Sequence, residues 1–478
     1  MPVRLLAWLL VSVTADLFAA TQAVPDYALR YNATNETMSV RICLPQAAAR
    51  VHFSADSKAP RYLDRLARAT APPLVRDDDG WSAADWRAGE CLSYDAAIGR
   101  IADAGRRNDG VRRGSDLVTD PQSWLLQVDG ADASEARVEL PPGYALSTPW
   151  TPLAADNGIA RYRIARTPDD WMARIAIGRF AESRIEHPGG TLRVAILDGA
   201  DAAQRSKLSD WLSRVSRAAL SAYGRLPLAD VQVLVIPVGA AGEPVVFGQS
   251  TRGQGHALTL FVDPAQPTAA FDHDWVAVHE LSHLLHPYLG DRGAWLAEGL
   301  ATYYQNVLRA RSGLLTPAQA WEQLDAGFAR GQRDTPAHAD LDLEGAAATM
   351  GERHDFMRIY WSGTAYWLGV DVELRRASAN QLSVDEALRR FDACCLPSYR
   401  RWEPADFVAK LDALLGTDVF APRFREFRAR HDFPDSASLY AALGIVRDGE
   451  SLRFDDAAQA ANVRRAIMQP SGGPRPTR

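Results

Sequence analysis

The sequence predicts a multidomain protein with a β-rich N-terminal domain, an α+β middle domain and an all-α C-terminal domain. Three observations carry that prediction. Up to about Asp170, short alternating or wholly apolar runs stand between turn residues, which is how half-buried strands read. From about residue 190, strands alternate with segments of helical period. After about residue 314 only the helical period is left. The 478 residues leave room for roughly two to four domains with real cores. The expected boundaries are a leader over 1–23, the β-rich domain over 24–175, the α+β domain over 176–313 and the helical domain over 314–450. A tail over 451–478 follows, disordered in its Pro-, Gly- and Arg-rich part.

The leader reads as a secretory signal. Arg4 precedes an apolar run, Leu5 to Val13, and small residues follow up to Ala23. Asp16 is out of place there, and an uncleaved N-terminal anchor is the alternative. Beyond the leader no run of about 18 apolar residues occurs, so no transmembrane span is expected in the mature chain. The basic residues are almost all Arg and Ala is abundant, as in a high-GC bacterial proteome. The protein is therefore expected to be periplasmic or secreted, and its two Asn-x-Thr sequons, at Asn32 and Asn35, are read as chance.

Within 24–175 the strand candidates are Tyr27–Tyr31, Met38–Ile42, Ser123–Val128 and Ala136–Leu140. Cys43 and Cys91 lie in this strand-like sequence and make the natural disulfide pair. Adjacent Cys394 and Cys395 cannot easily bond each other without strain. Arg106, Arg107, Arg112 and Arg113 read as a solvated loop. In the middle part, Thr191–Leu197, Asp230–Ile236 and Ala257–Val262 read as strands, and Ser206–Tyr223 as a helix ending at Gly224. Helices are expected over Asp274–His286 and Ala294–Arg311, then from the capping box Ser383–Glu386 and from Pro404 to Leu415.

Charge excludes one class of function. With 53 basic and 59 acidic residues, 53 − 59 gives a net charge of −6, and broad nucleic-acid binding needs the opposite balance. The informative segment is His279-Glu280-Leu-Ser-His283. Two imidazoles four residues apart point to one side of a helix, close enough to grip one cation. Glu280 then reaches a water beside the metal rather than the metal itself, and serves as a general base. A catalytic zinc needs a third protein ligand and an open position. Glu298, in Trp295-Leu-Ala-Glu298-Gly on the next helix, can be brought onto the histidine pair by a short turn at Gly290–Gly293.

His-Glu-x-x-His followed by Trp-Leu-x-Glu-Gly resembles the gluzincin metallopeptidases, whose third zinc ligand is a Glu on the second helix. The extended match resembles the glycyl aminopeptidase family and its relatives, the leukotriene A4 hydrolase-like aminopeptidases. The resemblance implies a β-rich N-terminal domain, a thermolysin-like zincin catalytic domain and a helical C-terminal domain, an order that fits about 24 to 450. A second local match, Tyr360-Trp-Ser-Gly363 with Leu368 to Arg376 after it, is similar to the family's Tyr-x-Lys-Gly segment. Carried over, Tyr360 is the hydrogen-bond donor to the oxyanion. The family's Gly-rich acidic segment before the zinc helix corresponds to Gly253-Gln-Gly255-His256-Ala257, which has no carboxylate here. Substrate contacts would fall on Gly255, His256 and Ala257, with Ala257–Val262 as an edge strand pairing with substrate backbone.

The expected protein is an exported peptidase holding one Zn2+ per chain on His279, His283 and Glu298. Glu280 and Tyr360 are catalytic, and the substrate is a peptide or protein. Aminopeptidase activity is the first expectation. A zinc endopeptidase of the same fold and a catalytically silent binding or scaffold relative are the alternatives. A non-haem iron oxygenase also uses two His and a carboxylate, but has no task for Glu280.

Overall fold

The computed structural model describes residues 24–69, 72–105, 110–449, 451–456 and 458–470. The expected leader, Arg106, Arg107 and the expected disordered end at 471–478 lie outside them. Among the described residues the N-terminal part holds three sheets. The largest has seven strands, ordered Thr151–Asp156, Ile159–Ala165, Ala133–Glu139, Asp26–Asn32, Thr37–Cys43, Cys91–Ala96 and Leu63–Arg68. Alternation does what it should: in Asp26–Asn32, Tyr27, Leu29 and Tyr31 point into a core with Val40, Ile42 and Tyr94, while Arg30 and Asn32 face out. A disulfide joins Cys43 to Cys91, which are opposite each other in register.

Two expectations fail here. Of Ser123–Val128 only Gln127–Val128 is strand, because Asp120 accepts the Gln122 N–H and Pro121 opens a 3-10 turn. Arg112 and Arg113 are not a solvated loop: they end the strand Gly110–Arg113, with Arg112 bidentate on Glu36 and on Asp103.

The middle part is a five-stranded mixed sheet: β1 (Glu182–His187), β2 (Gly190–Ile196), β3 (Asp230–Pro237), β4 (Val245–Thr251) and β5 (Ala257–Val262), in the spatial order β1-β2-β3-β5-β4. Helix α1 (Ala202–Leu220) makes the crossover between parallel β2 and β3 and starts at an Asp201/Gln204 capping box. Because β4 pairs antiparallel with β5, β4 forms the edge and β5 lies inside. That corrects the expectation that Ala257–Val262 is the edge strand.

Four helices complete the frame of the site: α2 (Val276–Ser282), α3 (Ala294–Arg311), α4 (Pro317–Asp334) and α5 (Phe356–Ala377). The helices after 314 share one continuous core with the sheet, running from Leu192 and Trp211 through Trp295 and Tyr303 to Trp367 and Phe391. The C-terminal part is not purely α, since Ile445–Asp448 and Ser451–Phe454 form a hairpin. Nor does the tail leave the fold up to 470: Val463, Ile467 and Met468 join the core, and the Arg311 guanidinium donates to the Ile467 carbonyl at 2.8 Å. Cys394 and Cys395 bond each other, against expectation; the α-carbons are 3.7 Å apart where the helix Val384–Cys395 ends, so the ring closes within a single peptide link.

Candidate active site

Helix α2 ends in a 3-10 turn, His283–Leu285, so His279 and His283 sit on the same wall of the final turns. A short link carries the chain into α3, which returns Glu298 to them. One Glu298 carboxylate oxygen (Oε2) stands 3.1 Å from His279 Nε2 and 3.6 Å from His283 Nε2. Ligand atoms of all three residues lie within 4.8 Å of one another. Burial disfavours the Glu298 carboxylate, but His283 and His279 outweigh it and hold it well below the ordinary range. Glu280, buried between β4 and the trio, is pushed upward by desolvation against the pull of His283 and His279, while the Ser250 N–H bonds its carboxylate.

Tyr360 comes from the first turns of α5. Its ring stacks on His279, with centroids 6.0 Å apart and planes 15° apart, and its hydroxyl bonds Glu298. The approach depends on two glycines. A Cβ on Gly363 would fall on the Trp295 carbonyl, and one on Gly299 would fall on the Gly363 backbone. Helices α3 and α5 therefore cross backbone to backbone, one residue after Glu298 and three after Tyr360.

Residues 277–364, from the metal helix to just past this crossing, match the family model of the M61 glycyl aminopeptidases. The chain is an aminopeptidase-like zinc metallopeptidase. Its fold is similar to that of an aminopeptidase N family protein from Idiomarina loihiensis, at a TM-score of 0.68 and 12% identity, over 88% of this chain and 79% of that one. It is also similar to an M1 zinc metallopeptidase from Deinococcus radiodurans, at 0.55 and 14%, over 86% of this chain and 94% of that one. A mutant M1 zinc metallopeptidase from Deinococcus radiodurans, bound to a Tyr-Ser-Ala substrate, matches at 0.55 and 15% over the same shares. No curated protein matches the chain.

The metallopeptidase's donor set fits zinc: two buried imidazoles and one partly buried carboxylate converge, and each imidazole is oriented from behind. His279 Nδ1 donates to Gln305 Oε1 at 2.9 Å, which leaves Nε2 to face Glu298. His283 Nδ1 faces His286 Nε2 at 3.1 Å, and His286 Nδ1 meets the Pro287 carbonyl. His286 is thus buried behind a ligand. Arg252 donates to the carbonyls of His283 and His286 and so clamps the end of the metal helix, its guanidinium pushed down to about 10 by burial. Gln305 and Arg252 escape sequence reasoning, since neither carries a motif. The edge strand β4 lies close on α2 because Gly248 lacks a side chain: a Cβ there would stand 2.5 Å from Val276 Cγ1 and 2.7 Å from Glu280 Cγ.

The metallopeptidase does not bring Gly255, His256 and Ala257 onto this cluster. Gly255 presses on the Pro149 carbonyl, Gly253 on those of Trp171 and Met172, and Gln254 accepts from the Trp150 indole. His256 is buried against Tyr399, its pKa pushed down to about 3 by desolvation, and Ala257 opens the interior strand β5. The segment is the seam between the N-terminal sheets and the mixed sheet. Its glycines admit the chain's own backbone instead of a substrate's.

Proposed function

We propose that this zinc metallopeptidase is exported and hydrolyses peptide bonds by general-base attack of water. The observation that carries the reading is the converging trio His279, His283 and Glu298 with Glu280 beside it beneath the edge strand β4. The three ligands would hold zinc, which when bound lowers the pKa of a water to about 7 and polarises the scissile carbonyl. Glu280 takes the proton of the attacking water and passes it to the leaving amine. The Tyr360 hydroxyl donates to the oxyanion that develops on the carbonyl. Strand β4 offers backbone groups along which the substrate can lie extended.

We assign the thermolysin-like catalytic unit to about 176–313, between the β-rich part over 24–175 and the helical part over 314–450. Two disulfides support an oxidising compartment, in keeping with export to a bacterial periplasm or beyond. Aminopeptidase action is the leading reading. An observation favours endopeptidase action as the second: β4, which lies over the metal helix, has no carboxylate to anchor a free amine. A tripeptide such as Tyr-Ser-Ala, the substrate of the Deinococcus relative, is a suitable first probe.

The test is mass-spectrometric mapping of products from peptides with free and N-acetylated ends, with Glu280→Gln protein as blank. Stepwise N-terminal trimming of free-amine peptides alone is the expected result. Internal cuts indifferent to acetylation make it an endopeptidase. Products no different from the blank remove the catalytic reading and leave a binding or scaffold protein.

A further inference from the structure

Four rings stand in a row across the metal-ligand cluster. Trp275 meets His279 edge-on at 5.4 Å, His279 stacks on Tyr360 at 6.0 Å, and Phe356 meets Tyr360 edge-on at 6.4 Å. Of the inner two rings His279 is buried and Tyr360 partly so, whereas the outer two are open: Trp275 is 43% and Phe356 36% exposed, with Met357 beside it at 37%. Among the described residues only Val75 and Val446 are large apolar side chains exposed to this degree elsewhere. Open aromatic surface flanking a metal-ligand cluster offers a ligand apolar area to cover.

Trp275 is held there. The Asp274 carboxylate accepts the Val276 N–H at 2.8 Å, and the Trp275 carbonyl accepts the His279 N–H at 3.0 Å. Its backbone is fixed at the head of the metal helix, four residues before a ligand. Phe356 is likewise fixed, as the first residue of α5 and four before Tyr360.

We propose that Trp275 and Phe356 are specificity-determining residues that form the apolar walls receiving the substrate side chains next to the scissile bond. This rests on the peptidase reading above. The preferred substrates then carry an aromatic or large aliphatic residue at that bond. A buried aromatic side chain brings about 150–250 Å² of surface to such walls, enough to discriminate by about tenfold or more against small residues.

Matched peptides differing only at the residues flanking one bond (Phe, Leu, Ala or Asp) test this on the zinc-loaded enzyme. The expected kcat/KM for Phe and Leu exceeds that for Ala by about tenfold or more, and the Phe-to-Ala ratio falls at least about fivefold in Trp275→Ala or Phe356→Ala. A wild-type ratio near one overturns the proposal. So does an equal loss on both peptides, which is what a merely structural role gives. Should Trp275→Ala not fold, Trp275→Leu serves, with preference moving from Phe towards Leu. Calorimetric titration of zinc-loaded Glu280→Gln protein with the same peptides separates the two readings. Tighter binding of the Phe peptide, abolished by adding Trp275→Ala, keeps the subsite even if nothing is cleaved. Equal binding of Phe and Ala peptides removes it even if both are cleaved.

Discussion

Holding the metal and using it are separable at single residues. Gln305 touches His279 from behind, so Gln305→Ala is expected to weaken zinc affinity about 10- to 100-fold in chelator competition. Activity returns at saturating zinc. Tyr360→Phe keeps the ring over His279 and removes only the hydroxyl. Its expected signature is unchanged zinc content and a kcat lower by about 10²–10³, with KM little altered. A rise in KM alone would assign the hydroxyl to ground-state binding. The trio was legible in the sequence because helical geometry forces residues four apart onto one side and a two-helix turn returns Glu298. Gln305 and Arg252 were not, because a hydrogen bond to the far side of a ligand leaves no spacing to read.

At the scale of elements, the crossing of α3 and α5 sets where Tyr360 stands relative to Glu298. Gly363→Ala puts a methyl group on the Trp295 carbonyl, and the helices must part. We expect a loss of about 1–3 kcal/mol in denaturant unfolding and a fall in kcat out of proportion to it. Gly351→Ala, at a position with open space around it, is the silent control. Helix Ala294–Arg311 was read to the residue because Gly293 and Ser312-Gly313 bracket a strong periodic run. Strand β4 was missed: Gly248, Gln249 and Ser250 break its apolar pattern, and it is a strand by virtue of pairing with β5 and lying on α2. The Gly253–Ala257 segment was misread for a related reason. Glycines announce that a backbone comes close but not whose backbone it is.

In the molecule as a whole, the order of β-rich, mixed and helical parts was visible in the local periods, whereas the single core joining the last two was not, since contacts across hundreds of residues have no period. One long-range connection carries a pH dependence. Arg174 binds Gln249 on β4, and its charge opposes the burial that pushes the Asp120 carboxyl up to about 7. A carboxyl raised in the folded state from its ordinary value near 4 stabilises the fold when protonated. That contribution is present below about pH 4 and is lost as pH rises to about 7. Asp120→Asn, which can still accept the Gln122 N–H, is therefore expected to gain on wild type in thermal midpoint across that window and to run parallel above it. A gap that is constant with pH would contradict this. The helix crossing has a further consequence. The metal ligands lie on one stretch of chain and Tyr360 on another, and the two meet through Gly299 and Gly363 while residues 351–354, between them, are all exposed. Covalent continuity at that point is therefore expected to be dispensable for assembling the site. Two co-expressed polypeptides, one ending at Gly351 and the other beginning at Glu352, are expected to associate into an active pair, which makes this enzyme a ready split reporter whose signal reads the joining of its halves.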